Sequence, residues 1–237
     1  MILSLEISRS AIAPVTLFTA YLQEMKTALL VGATGLTGSL LLPLLLNNDD
    51  YGKIIVYTRR PLDIQHEKLE ERIIDFDTLS ATIAADDVYC CLGTTIKQAG
   101  SKPAFEKVDY VYPLNIAKLQ QQVSTKFLVI SAMGASATSS IFYSRVKGKL
   151  EQELQQLGYK SLYIFRPSLI VGNRKEKRRG EYFGLLFMSV IGPLLLGPLK
   201  KYKAVTALAI AKAMMHFASL DAMGNKVILS DEIKKFE

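Results

Sequence analysis

Tyr143 and Lys147 stand four residues apart in the run Phe142-Tyr-Ser-Arg-Val-Lys-Gly148. Read as the start of a helix, the run sends both side chains out from one face, with Glu151 on the helix's polar face. An ammonium near a phenol favours the phenolate and turns a poor proton donor at neutral pH into a usable general acid or base. The same lysine can hold a ribose. Tyr-x-x-x-Lys arises by chance in many helices, so its meaning rests on the elements that would position it.

The segment Lys26-Thr-Ala-Leu-Leu-Val-Gly-Ala-Thr-Gly-Leu-Thr-Gly38 reads as a short apolar strand, a glycine-rich turn and a leucine-rich helix. Gly32 permits the tight turn, Gly35 leaves room for a pyrophosphate against the backbone, and Gly38 lets the helix sit close to the sheet. With Thr34, Leu36 and Thr37 they form a dinucleotide-binding turn whose phosphates rest on a helix N-terminus. A second strand, Lys53-Ile-Ile-Val-Tyr-Thr58, ends where an acidic residue would take the ribose hydroxyls of NAD. This chain delivers Thr58, Arg59 and Arg60 there instead. An arginine fork suits a 2′-phosphate, so NADP(H) is expected over NAD(H); ordinary solvated charges are the other reading of the two arginines.

Strands are expected near 27–32, 53–58, 71–75, 87–92, 126–131, 160–166 and 226–230, and helices near 36–47, 104–122, 142–157 and 204–219. Their alternation predicts an α/β fold, a doubly wound and mostly parallel Rossmann-like sheet with a small C-terminal substrate-side lobe. Ligands then bind beyond the carboxyl ends of the strands. That places Asp75 and Phe76 near an adenine, and brings the run Cys91-Leu92-Gly93-Thr94-Thr95 to the cofactor, with Gly93 allowing close backbone approach.

The chain has 237 residues, 49% of them hydrophobic, enough for one sizeable core. The expected division is an N-terminal extension over 1–24, dispensable to the fold, and a single domain over 25–237 with a lid or substrate-side insertion at 172–203. Within that insertion a basic loop, Asn173-Arg-Lys-Glu-Lys-Arg-Arg179, precedes an apolar stretch interrupted by Gly192-Pro193 and Gly197-Pro198. It is too short and too broken to span a bilayer. It suits a pocket wall or a homodimer contact, with peripheral membrane docking through 174–203 as the alternative. The net charge of +7 accompanies no nucleic-acid motif, so an anionic cofactor is the simpler partner and no nucleic acid is expected. The adjacent Cys90 and Cys91 point to opposite faces of a strand and suit neither a disulfide nor a metal site, and His66 and His216 form no ligand pattern. No metal is expected, and unpaired cysteines point to a reducing, cytoplasmic location.

Gly32-Ala-Thr-Gly-Leu-Thr-Gly38, Tyr143-x-x-x-Lys147 and Phe165-Arg-Pro-Ser168 together resemble the short-chain dehydrogenase/reductase superfamily in its extended or atypical branch. More narrowly, Cys91-Leu-Gly-Thr-Thr95, Val108-Asp-Tyr110, Ser131-Ala-Met-Gly-Ala135 and Tyr143-Ser-Arg-Val-Lys-Gly148 resemble the atypical group of Tat-interacting-protein oxidoreductases. The resemblance runs from about Met25 to the C-terminus. It implies NADP(H) bound across the strand ends, hydride exchange with a small carbonyl or alcohol, Tyr143 and Lys147 as the catalytic pair, and Pro167 and Ser168 beside the nicotinamide. There is a departure. Better-known members place a serine at the end of the fifth strand, where this chain has Ala132 with Ser131 beside it. Ser131 is therefore a doubtful catalytic and cofactor candidate, with Thr94, Thr95 or the 136–140 loop as other sources of a hydroxyl. Asp109 stands where extended members often carry asparagine and receives no role. The departure keeps a second reading open, a non-catalytic NADP(H)-binding regulator or interaction protein. A nucleotide-sugar epimerase or dehydratase would need a larger substrate domain than the residues after Ile170 supply.

Overall fold

In the computed structural model, which describes residues 25–172 and 203–237, the apolar run after Lys26 becomes the centre of a sheet. Lys26–Val31 forms β1, and Ala28, Leu29, Leu30 and Val31 have no exposed surface. Both faces of a parallel strand are covered, so its sequence is apolar throughout rather than alternating. The remaining strands are β2 (Tyr51–Thr58), β3 (Leu69–Ile73), β4 (Asp87–Cys90), β5 (Lys126–Ile130), β6 (Ser161–Arg166), a short β7 (Ile170–Val171), a short β8 (Val205–Thr206) and β9 (Gly224–Leu229). The main sheet has seven strands in the order β3-β2-β1-β4-β5-β6-β9, all paired in parallel. From β1 the chain winds outward to β3, then returns beside β1 as β4 and winds the other way. The order reverses between β1 and β4, where Val31 pairs with Cys90. Beyond those carboxyl ends lies the crevice in which such sheets bind ligands.

Helices cover both faces. On one side α1 (Gly38–Leu46) and α6 (Ala207–Ser219) bury Leu41, Leu42, Leu45, Ile210, Met214 and Phe217 against Leu30, Val56, Tyr89, Leu128 and Phe165. On the other, α4 (Tyr112–Gln120) and α5 (Phe142–Gln156) bury Ile116, Ala117, Leu150 and Leu154 against Leu29, Ile55, Val88, Phe127 and Ile164. The strand residues of the two groups alternate in sequence, as a pleated strand requires. Cys90 joins the α4–α5 face, while Cys91 turns to the α6 side and meets Met214 Sδ at 3.9 Å. Neither forms a disulfide.

Each of the seven expected strands is present, whereas the helix expected over 104–122 is divided. It consists of α3 (Lys102–Glu106), a π-helical turn over Lys107–Val111, and α4. Pro113 is the cause we assign. It has no N–H for the carbonyl of Asp109 and its ring would crowd that carbonyl, so the helix widens one turn earlier, with the Tyr112 amide donating to the Lys107 carbonyl. A one-turn α2 (Ile96–Ala99), capped by Thr95, and the terminal α7 (Ser230–Ile233) were not anticipated. The extension over 1–24 and the body of the expected lid, 173–202, lie outside the described residues; β7 and β8 bracket the latter and pair with each other.

Candidate functional site

The glycine turn sits at the carboxyl end of β1 and touches the end of β4. Gly32 has φ +86°, and a Cβ there would lie 2.7 Å from the Cys91 carbonyl carbon and oxygen. Gly38 is tighter still, with the added Cβ 2.2 Å from the Gly32 carbonyl oxygen, so α1 begins directly on the turn. Gly35 is different. It is exposed beside exposed Thr34, and its added Cβ would meet only the Gly32 oxygen at 3.2 Å and the Cys91 oxygen at 3.9 Å. The two close contacts serve packing, while Gly35 keeps a surface bare. Leu36 is half-buried, Thr37 is buried, and no side chain caps α1 and no acid occupies its first turn, so the positive end of its dipole is left for an outside anion.

Around this turn the structure assembles a buried ion pair. Lys147 projects from α5, 3% exposed, with Nζ 2.7 Å from Asp109 Oδ1 and donating weakly to the Ile130 carbonyl at 3.4 Å. Asp109 comes from the π-helical turn, 1% exposed, and its Oδ2 accepts the Thr94 amide at 2.8 Å. Burial alone would lower the Lys147 pKa; the charges of Asp109 and then Tyr143 outweigh it, and the ammonium is held above its ordinary value. Tyr143, one turn earlier on α5, is half-buried with its ring 5.4 Å from that of Phe105. A Cβ on Gly93 would lie 3.6 Å from Asp109 Oδ1 and 3.9 Å from Lys147 Nζ. The pair therefore backs the exposed Gly93 backbone, just past β4. Gly148 lets the 136–137 backbone cross α5, since its added Cβ would be 2.1 Å from the Ser136 carbonyl carbon.

The other expected residues divide into those left available and those already engaged. Thr58 is buried, and its hydroxyl donates to the Arg60 carbonyl at 2.7 Å, fixing a turn that leaves Arg59 and Arg60 exposed at the end of β2. Asp75 is exposed, but its Oδ1 accepts the Asp77 amide at 2.9 Å. Phe76 is 7% exposed and stacks on Tyr112 with centroids 5.3 Å apart. Leu92 is half-buried against the α4–α5 core, and Thr95 caps α2. The buried Pro167 accepts the Met133 amide at 2.9 Å. Ser168 donates its amide to Ser230 Oγ at 2.6 Å and its hydroxyl to the Lys203 carbonyl at 2.5 Å, which ties it to the C-terminal segment.

Glu151 departs from its expected setting, and Ser131 is held by it. Glu151 is 3% exposed instead of lying on a solvated face, because it accepts the Ser131 hydroxyl and the Arg166 guanidinium, whose Nε lies 3.0 and 3.1 Å from its two oxygens. Ser131 keeps the strand ladder, its amide donating to the Phe165 carbonyl at 2.7 Å, so alternation turns it toward α5 and Glu151. Its hydroxyl is committed to that carboxylate, and Ala132 occupies the next position, 9% exposed.

Comparison with known proteins gives this arrangement its relatives. The HIM1 family model matches residues 56–183, which hold the end of β2, the Asp109 turn and the Tyr143–Lys147 helix. The chain belongs to the HIM1 family. Rat Protein HTATIP2 is 31% identical over 220 residues, covering 87% of this chain and 89% of its own. Protein fmp52, mitochondrial, of Aspergillus niger is 30% identical over 219 residues, covering 88% and 93%. The expected Tat-interacting-protein resemblance is thus borne out. The expected cytoplasmic location is not: the fungal relatives, in Candida albicans and Emericella nidulans as well, are named as mitochondrial. Unpaired cysteines were a poor guide, because a reducing environment is not unique to the cytoplasm and a cellular address is read from targeting signals. Among the described residues no helix is long and apolar enough to cross a membrane.

Solved structures share the fold at lower identity. MoeE5, in complex with UDP-glucuronic acid and NAD, superposes with a TM-score of 0.61 at 18% identity, covering 85% of this chain and 75% of that one. The human epimerase family protein SDR39U1, with NADPH, gives 0.57 at 16% identity, covering 87% and 77%. Asp109 is the residue that sequence reasoning passed over in this HIM1 chain. Its signal was a carboxylate in the Val108-Asp-Tyr110 motif, four residues before a proline that breaks the helix.

Proposed function

We propose that this HIM1-family chain is an NADP(H)-dependent oxidoreductase that exchanges hydride between the nicotinamide and a small carbonyl or alcohol. The observation that carries the reading is the Lys147 ammonium held by Asp109 behind Gly93, with Tyr143 on the same helix and the glycine turn alongside. The residues fit a dinucleotide. Gly35 is bare and exposed, the start of α1 is uncapped, and Arg59 and Arg60 stand exposed at the next strand end. Relatives in fold carry NAD in one case and NADPH in another, so the fold supports a nicotinamide cofactor and the two arginines carry the preference for a 2′-phosphate.

When bound, the nicotinamide supplies or accepts the hydride. Tyr143 moves the accompanying proton to or from the substrate oxygen, and Lys147 steadies both the phenol oxygen and a ribose hydroxyl. With the Ser131 hydroxyl on Glu151, orientation of the substrate oxygen falls to Thr94 or to the 136–140 loop. Calorimetric titration with NADPH and NADH tests the cofactor, repeated on Arg59→Ala/Arg60→Ala. A clear NADPH preference that disappears in the double variant is expected, and no binding of either nucleotide would overturn the reading. A panel of carbonyls then tests turnover. The commitment of Ser131 also favours a second reading, a non-catalytic NADP(H)-binding regulator. Tight NADPH binding without oxidation across the whole panel would select it.

A further inference from the structure

The buried charge beside the strand ends is balanced, and that balance has a consequence for ligands. Asp109 and Lys147 are 1% and 3% exposed and 2.7 Å apart, so neither is screened by bulk water and each cancels the other's field. Asp109 is also fixed to the 91–95 loop through the Thr94 amide, and the pair lies directly behind Gly93. An asparagine at 109 would leave a net positive charge in the same place. The two oxidation states of a nicotinamide differ by one positive charge on the ring. A lone ammonium near the ring would repel the oxidised form and leave the reduced form almost untouched, whereas a neutral pair discriminates little between them.

We infer that Asp109 is a positioning residue that sets the relative affinity for oxidised and reduced cofactor, by cancelling the charge of Lys147 so that the cationic ring of NADP+ is accepted alongside NADPH. The inference rests on the proposed nucleotide site and deepens it. A charge-balanced site suits a protein that must hold both oxidation states, either turning over in both directions or responding to their ratio.

Equilibrium titration of NADP+ and NADPH separates this role from a structural one, because damage to the fold weakens both ligands while a charge effect moves their ratio. For Asp109→Asn, the ratio of the NADP+ dissociation constant to that of NADPH should rise about tenfold, equivalent to about 1.4 kcal/mol. Lys147→Met should move the ratio the other way, and the neutral double variant should return it toward the wild-type value although both affinities fall. Circular dichroism melts establish which variants are folded. If Asp109→Asn loses its cooperative melt, Lys147→Met carries the test in reverse. Binding of both forms with a ratio that stays fixed in the folded variants overturns the inference and leaves the nucleotide site standing. Failure of the wild-type protein to bind either form removes the site, and the inference with it.

Discussion

Gly35 and Gly38 lie in one turn, yet the structure gives them separable roles, and alanine at each should fail in a different assay. At Gly38 the new Cβ would stand 2.2 Å from the Gly32 carbonyl oxygen and 2.8 Å from its carbon. Restoring an ordinary separation of roughly 3.5 Å requires α1 or the turn to move by about 1.3 Å. The obstacle is backbone and cannot rotate away. Moving α1 would also open the packing of Leu41, Leu42 and Leu45, which are at most 1% exposed. Overpacking typically costs about 1–3 kcal/mol, and a backbone obstacle puts Gly38→Ala at about 3. For a chain of this size that lowers the melting temperature by about 6–12 °C. Gly35→Ala needs only a few tenths of an ångström at the Gly32 oxygen, 3.2 Å away, and Gly35 is not among the residues with positive φ. Its strain is offset by about 0.4–1 kcal/mol of lost unfolded-state entropy, so stability should change by less than about 1 kcal/mol. NADPH affinity should nevertheless fall at least about tenfold, because the methyl occupies the bare surface where a phosphate of the proposed cofactor would approach. Urea unfolding and calorimetric titration read the two effects. Equal stability and equal affinity in both variants, or the opposite pattern, would refute the reasoning.

Two further predictions concern a proton on the proposed reaction and one in the core. Tyr143→Phe should lower turnover about a hundred- to ten-thousandfold while leaving the NADPH dissociation constant within about twofold; undiminished turnover with a carbonyl from the panel sinks Tyr143 as the acid. Asp87, with no exposed surface, has its carboxyl raised by burial over the opposing hydrogen bond from Tyr51 and the charges of Lys26 and Lys126, so the native state keeps this proton to higher pH than the unfolded chain. Its contribution to stability therefore falls as pH rises from about 4 through the folded value, and Asp87→Asn should flatten that fall in urea midpoints across about pH 4–8; a wild-type slope in the variant would contradict it.

The central parallel strands could be read from the chain because they are buried on both faces and so form nearly continuous apolar runs, from Ala28-Leu-Leu-Val31 to Phe127-Leu-Val-Ile130. The glycine turn was legible for a related reason: its constraints are local, set between residues 32 and 38 and the adjoining strand. The two carboxylates that order the site were not. Helical periodicity assigns a charged residue to a polar face by looking only along its own helix, which is how Glu151 was placed, while Asp109 received no role because extended members of the superfamily often carry asparagine there. What buries them is a partner from another element, Arg166 at the end of β6 for Glu151 and Lys147 on α5 for Asp109. A rule of physics was available without the structure. Removing a cation from water is unfavourable by several kcal/mol unless a counter-charge accompanies it. Lys147, 3% exposed on α5, and Arg166, partly covered at the end of β6, each call for an anion within reach. Glu151 lies four residues after Lys147 on the face toward β6, and Asp109 lies in the only acidic motif before the fifth strand that the family resemblance had already singled out. Charge balance around cations wholly or partly removed from water, and not periodicity, was the signal that would have found both.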